Sequence, residues 1–224
     1  MKIKGAIFDM DGTLVDSLMF WGYLWKRVGK VYFNDENFTP DATIEKALRT
    51  AIFADGMTHF KEYYRLPGEV SEFVSFCDNG LAEFYKTVAS PKKGAFALLE
   101  DLRKKGIKIC LASATAMKDI QIAIAHHDLA KYFDGVISCA DLGVGKDKPD
   151  IYLEAMRLLS LSPEETCVFE DSFVALETAK GIGCYTVGIY DQYNSDQDRL
   201  RNASEIYVED GQALDVLINH IQKL

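Results

Sequence analysis

The chain has 224 residues and a formal net charge of −9, from 34 acidic and 25 basic side chains. That balance argues against nucleic acid as a partner, since polyphosphate surfaces demand a basic face; small phosphorylated molecules stay open, because local charge decides there. Hydrophobic residues make up 48% and charged residues 26%, ordinary for a globular fold able to bury a full core, and no apolar run approaches the ~18–20 residues of a membrane span.

Met1-Lys2-Ile3-Lys4 shows no apolar signal region and leads directly into a strand-like run, Ile3–Phe8. A cytoplasmic, monomeric protein without a membrane partner is expected. The next strand-like run lies about a hundred residues on, far more than one crossover needs. Residues 15–87 are helix-like and aromatic-rich, with helices expected over Asp41–Ala54 and Glu69–Val88 and a break at Pro67-Gly68. The chain therefore leaves its sheet after the first strand, builds a helical insertion and returns near Ser90-Pro91. Residues 1–14 and 88–224 are expected to form the core, and 15–87 a cap.

Ala95, Leu98, Leu99 and Leu102 recur at helical spacing ahead of a second apolar run, Ile107–Ala112. Val136–Ser138 follows, then a helix carrying Ile151, Ala155, Leu158 and Leu159. Thr166–Phe169, Tyr185–Ile189 and a weaker Ile206–Val208 complete the set. Short runs that are apolar throughout and alternate with helices predict an α/β fold, a doubly wound parallel sheet of Rossmann-like type. The five cysteines are odd in number and widely spaced, with no CxxC, and read as buried reduced thiols. Tyr190–Asp198 reads as an acidic surface loop. His126-His127 are adjacent on a helix and diverge by about 100°, which favours a helix-end role over a shared metal.

Asp9-Met10-Asp11-Gly12-Thr13 is the sharpest local signal. Two carboxylates at i, i+2 are common in so acidic a chain, and Asp196 and Asp198 repeat that spacing in a loop without meaning. Asp9 differs because it stands at the carboxyl end of an apolar strand, where open parallel sheets place ligands; Gly12 then permits a tight turn. The second run stops at Ser113, with Thr115 two further on, and another stops at Glu170-Asp171-Ser172. Any of these could merely cap a helix, but capping explains their convergence poorly. A crevice holding Asp9, Asp11, Glu170 and Asp171 repels itself and needs cations. Mg²⁺, a hard ion that takes carboxylate oxygens, fits. A lysine from Gly143–Asp150 fits as the second cation, Lys146 in preference to Lys148.

Taken together, DMDGT at 9–13, Ser113, Lys146 in a Lys-x-x-Pro-Asp setting and Glu170-Asp171 resemble, in order, the four motifs of the haloacid dehalogenase-like hydrolase superfamily. The helical insertion after the first motif resembles its C1-capped subfamily, which includes phosphoglycolate phosphatase and beta-phosphoglucomutase. The resemblance implies that Asp9 attacks phosphorus to form an aspartyl-phosphate and that Asp11 serves as general acid, then base. It implies Mg²⁺ held by the carboxylates of Asp9 and Asp171 and the backbone carbonyl of Asp11, with Glu170 behind them or as an alternative ligand. It also implies a phosphate cradle from Ser113, Lys146 and the backbone around Gly12, Thr13 and Ala114.

A phosphatase acting on a small phosphorylated metabolite is the expected activity. A sugar-phosphate mutase is the alternative, although the Arg-Glu-Asp-containing cap loop usual in mutases is absent. A receiver-like or silent phosphate-binding protein fits less well, since receivers are about half this length and lack a cap. Asp11 speaks against the dehalogenases themselves, which lack that aspartate. Ala175 departs from the glycine many relatives carry there. Within the insertion, Lys46 and Arg49 lie three apart on one expected helix and are candidate substrate readers, while Trp21 and Trp25 read as packing between helices.

Overall fold

The computed structural model describes residues 3–48 and 53–221. Contacts divide the chain into two compact units, Met1–Leu18 with Ala89–Leu224, and Met19–Val88.

In the first unit six strands form one parallel sheet: β1 (Gly5–Phe8), β4 (Lys108–Ser113), β5 (Gly135–Ser138), β6 (Thr166–Glu170), β7 (Tyr185–Ile189) and β8 (Ile206–Val208). Their order across the sheet is β5-β4-β1-β6-β7-β8. The chain steps outward from β1 on one side through β4 and β5. It then returns to the other side at β6 and steps out through β7 and β8. This reversal makes the carboxyl ends of β1, β4 and β6 the place where a crevice opens.

Phe8 pairs with Leu111 on one side and Phe169 on the other, so the three strands end nearly level. The residues of β1 and β6 are buried throughout, as strands covered on both faces must be. Helix Asp150–Leu159 packs on β1, β4 and β5, and Phe173–Gly181 packs on β6 and β7. Apolar side chains of one sheet face, Ile7, Cys110, Ile137 and Val168 among them, meet Ile151, Tyr152 and Leu159 of the former helix in one core. All five cysteines are free and buried.

A two-stranded antiparallel ribbon, β2 (Val15–Asp16) with β3 (Ser90–Pro91), stands apart from this sheet. Through it Val15 and Asp16 stay with the first unit, whereas the sequence reading ends the first core segment at residue 14.

The second unit is helical: Phe20–Val28, Ala42–Leu48, Phe53–Tyr63 and Val70–Thr87. The helix expected over 41–54 is described from Ala42 to Leu48, and helix is described again from Phe53 to Tyr63. Arg49, one of the two expected substrate readers, lies outside the described residues. Lys46 belongs to Ala42–Leu48, and its side chain likewise lies outside what is described. Aromatic rings fill the interior: Phe60 stacks on Trp25 at 5.0 Å between centroids and lies parallel to Phe73 at 5.8 Å. Trp21 and Trp25 pack at 5.5 Å, as their spacing suggests.

Candidate active site

Asp9 follows β1 directly and is buried, and its N–H donates to the Phe169 carbonyl at 3.0 Å. Beyond it the chain turns sharply: the Met10 carbonyl accepts from the N–H groups of Leu14 at 3.0 Å and Val15 at 2.9 Å, and Gly12 donates to Val15 at 2.9 Å. Gly12 has φ +84°, and a Cβ there would overlap the Asp171 carboxylate. Glycine is thus required twice over at this position.

Ser113 is the last residue of β4 and Glu170 the last of β6, with Asp171 next; all three are buried. Both strands therefore end one residue later than the apolar pattern indicates, because a buried parallel ladder continues through polar side chains that point into the crevice. Oxygens of Asp9, Glu170 and Asp171 all lie within 4.8 Å of one another.

The ammonium of Lys146 forms ion pairs with both Asp9 and Glu170, its side chain 10% exposed. Lys148 is 64% exposed and faces Asp147 at 4.0 Å. Glu170 also accepts from the buried Tyr152 hydroxyl at 3.1 Å. Asp171 accepts from the Thr13 hydroxyl at 3.1 Å.

Asp11 belongs to a different set of partners. Its carboxylate accepts from Ser17 at 2.7 Å, Thr115 at 2.7 Å and Ser113 at 3.3 Å. The Ser113 hydroxyl further accepts from the Thr115 N–H at 3.1 Å, and Ser138 steadies that turn by donating to the Thr115 carbonyl at 2.7 Å. Ala114 is exposed between them. The sequence does not single out Ser17, Ser138 or Tyr152; an isolated hydroxyl carries no periodic signal, and only the fold brings Ser17 and Tyr152 to carboxylates and Ser138 to the Thr115 turn. His127 closes helix Met117–His126, its N–H donating to the Ala123 carbonyl at 3.1 Å.

The electrostatics follow from crowding. Burial holds the Asp9 carboxyl well above its ordinary range; Lys146 opposes this, and Glu170, Asp171 and Asp11 reinforce it. Asp171 is pushed up to about 7, by burial first and by Glu170 next. Burial disfavours the charge on Lys146, but Asp9 and Glu170 outweigh that and raise its pKa.

Three clustered carboxylates against one ammonium leave two negative charges over when all are ionised. A donor set made only of carboxylate oxygens, short by two positive charges, fits a hard divalent cation. No helix among the described residues is long and apolar enough to cross a membrane.

Comparison with known proteins accords with this geometry. The chain is 26% identical to a phosphorylated carbohydrates phosphatase of Thermotoga maritima, across 96% of this chain and 98% of that protein. It is 27% identical to hexitol phosphatase A of Escherichia coli, across 84% of each. In fold it is similar to CbbY from Rhodobacter sphaeroides in complex with phosphate, at TM-score 0.76 and 18% identity over 96% of both chains. It is also similar to beta-phosphoglucomutase from Clostridium difficile, at TM-score 0.74 and 19% identity over 99% of this chain and 96% of that one. The family model for haloacid dehalogenase-like hydrolases matches residues 3–183, most of the chain, and with strands β1, β4 and β6 ending on the residues just described, this protein is an enzyme that belongs to that family.

Proposed function

We propose that the protein is a Mg²⁺-dependent phosphatase that hydrolyses a small-molecule phosphate monoester through a covalent intermediate on Asp9. The observation that carries this reading is the buried cluster of Asp9, Glu170 and Asp171, with Lys146 set against two of them. The phosphatase names of the relatives support hydrolysis.

In the first step an Asp9 carboxylate oxygen bonds to phosphorus while the bond from phosphorus to the leaving oxygen breaks, and Asp11 supplies that oxygen with a proton. In the second, Asp11 takes a proton from water as the water oxygen attacks phosphorus. The Asp9–phosphorus bond breaks, inorganic phosphate leaves, and both carboxylates return to their starting state. Ser17 and Thr115, each 2.7 Å from Asp11, fix that carboxyl and supply donors to its ionised form.

Lys146, Ser113 and the backbone around Ala114 receive the transferring phosphoryl oxygens. Glu170, occupied by Lys146 and Tyr152, positions the lysine. The carboxylates of Asp9 and Asp171 with the Asp11 carbonyl would hold Mg²⁺, which, when bound, offsets the charge of the phosphoryl group against the carboxylates. The Gly12 N–H and the Thr13 hydroxyl are already engaged by Val15 and Asp171. Their part in the phosphate cradle is therefore to shape the turn.

The helical unit 19–88 acts in this reading as the cap that selects substrate, with Lys46 and Arg49 as readers. The relatives' names put sugar and polyol phosphates first in a substrate panel.

The test is hydrolysis of a chromogenic phosphate ester. Activity appears with Mg²⁺, disappears with a chelator, and falls at least about 10³-fold in Asp9→Asn. An Asp9→Asn protein of unchanged activity removes Asp9 from the chemistry. Turnover that needs a bisphosphate primer would make the enzyme a mutase instead.

A further inference from the structure

The loop that reads from sequence as plain acidic surface reaches into the site. Asp191, just past β7, is 5% exposed. Its carboxylate takes an ion pair from Lys92 at 3.0 Å, and Lys92 also grips Asp16 at 2.7 Å. The Asp191 backbone carbonyl accepts from the Asn194 N–H at 3.1 Å and from the Gln197 amide at 2.6 Å, and the Gln197 amide reaches the Asn194 carbonyl at 3.1 Å. Residues 191–197 thus form a braced turn rather than a loose one.

The brace aims the Asn194 side chain. Its amide donates to the Asp171 backbone carbonyl at 3.0 Å and also to a carboxylate oxygen of the same residue. Thr13 donates to the other carboxylate oxygen, and the Cα of Gly12 closes the third side. Backbone and side chain of one carboxylate are held by a single amide, so rotation about its Cα–Cβ bond is opposed at both ends.

We infer that Asn194 is a positioning residue that presets the Asp171 carboxylate for a divalent cation, with the Asp191–Lys92–Asp16 brace holding Asn194 in place. The inference rests on the metal reading above. Partners behind a metal ligand typically contribute about 10–100-fold in affinity, by removing orientations the ligand would otherwise sample. A turn 23 residues downstream of Asp171 in sequence thereby becomes part of the metal-binding apparatus.

Calorimetric titration of Mg²⁺ into the chelator-treated protein tests this. Absence of binding to the wild type overturns both readings. Given binding, Asn194→Ala and the near-isosteric Asn194→Leu should each weaken Mg²⁺ by about tenfold or more, with metal-free Tm within about 2 °C of wild type. The Mg²⁺ concentration for half-maximal turnover should rise in the same proportion, while kcat at saturating Mg²⁺ falls less than about threefold. Wild-type Mg²⁺ affinity in either folded variant overturns the role of Asn194 and leaves the metal reading standing. An equal loss of kcat at every Mg²⁺ concentration also overturns it. If both variants unfold, Asn194→Ser decides: its short donor should give an intermediate affinity, and wild-type affinity sinks the inference.

Discussion

Two lysines, one in each unit, show how differently the same buried cation is used. Lys61, in the helical unit, is 7% exposed and donates to the Leu66 carbonyl at 2.7 Å. Its ammonium serves one backbone group at the end of helix Phe53–Tyr63. Lys146, in the sheet unit, faces two carboxylates, with a third within 4.8 Å of those. The Lys61 ammonium answers a neutral carbonyl; the Lys146 ammonium answers charge. A buried lysine is informative only through its partners. Lys61 satisfies a local carbonyl, whereas Lys146 leaves its neighbourhood still negative.

The comparison breaks most sharply at Lys146→Met. The variant keeps the stem and removes the cation, so Asp9 and Glu170 lose their partner and, under the proposed mechanism, the phosphoryl oxygens lose a donor. Turnover of a chromogenic ester should fall at least about 10³-fold, roughly 4 kcal/mol of transition-state stabilisation. In the metal-free protein, denaturant melts should also show a loss of about 3–5 kcal/mol, the usual consequence of stranding a buried charge. Activity within tenfold of wild type would show that Lys146, like Lys61, takes no part in the chemistry.

A second measurement turns on pH. In the metal-free protein Asp171 moves from an ordinary 3.8 in the unfolded chain to about 7 in the folded one, and Asp9 moves the same way. The folded state therefore binds these protons more tightly than the unfolded state. The stability they contribute is fully present below about pH 4 and is lost as pH rises through about 7. Urea melts with chelator present should lose on the order of a few kcal/mol between pH 5 and pH 8. Under the proposed metal role Mg²⁺ would replace those protons, and its addition should flatten the profile. Asp171→Asn should flatten it without metal. A profile already flat in the metal-free wild type would mean that the cluster is not electrostatically crowded.

These tests bear on residues of unequal visibility. Asp9, Ser113, Glu170 and Asp171 were legible because each ends an apolar run, and the ends of buried parallel strands are where a polar side chain is least expected without a use. The sheet itself was legible for the same reason, and Tyr185–Ile189 and Ile206–Val208 carry the limits read from the sequence. Lys146 and Lys148 share one Gly-rich loop with no period to separate them; the Lys-x-x-Pro-Asp setting favours Lys146, and the fold pairs it with Asp9 and Glu170. Asn194 was invisible, since a lone amide in an acidic loop resembles any solvated residue. Its partners Asp171, Asp191 and Lys92 converge through tertiary structure alone. Ser17 and Tyr152 escaped likewise: one is a hydroxyl just past a two-residue strand, the other an aromatic on the face of a helix whose pattern announces only a core.

The smallest expected effect is the most discriminating for the contrast between the lysines. Lys61→Met removes the hydrogen bond to Leu66, a donor of charged type whose loss costs about 1.5–3 kcal/mol. It also removes the desolvation of a buried ammonium, and it leaves the apolar stem packed. The hydrogen bond from the Leu66 N–H to the Lys61 carbonyl at 3.0 Å survives the change, so the turn over 61–66, where Arg65 sits at φ +51°, keeps its closure. The opposing contributions nearly offset, and denaturant melts should show a change within about 1 kcal/mol, with the Mg²⁺ dependence of turnover unaltered. A loss above about 3 kcal/mol would mean that Lys61 answers a buried negative charge as Lys146 does, and the distinction between a lysine that caps and a lysine that counters would fail.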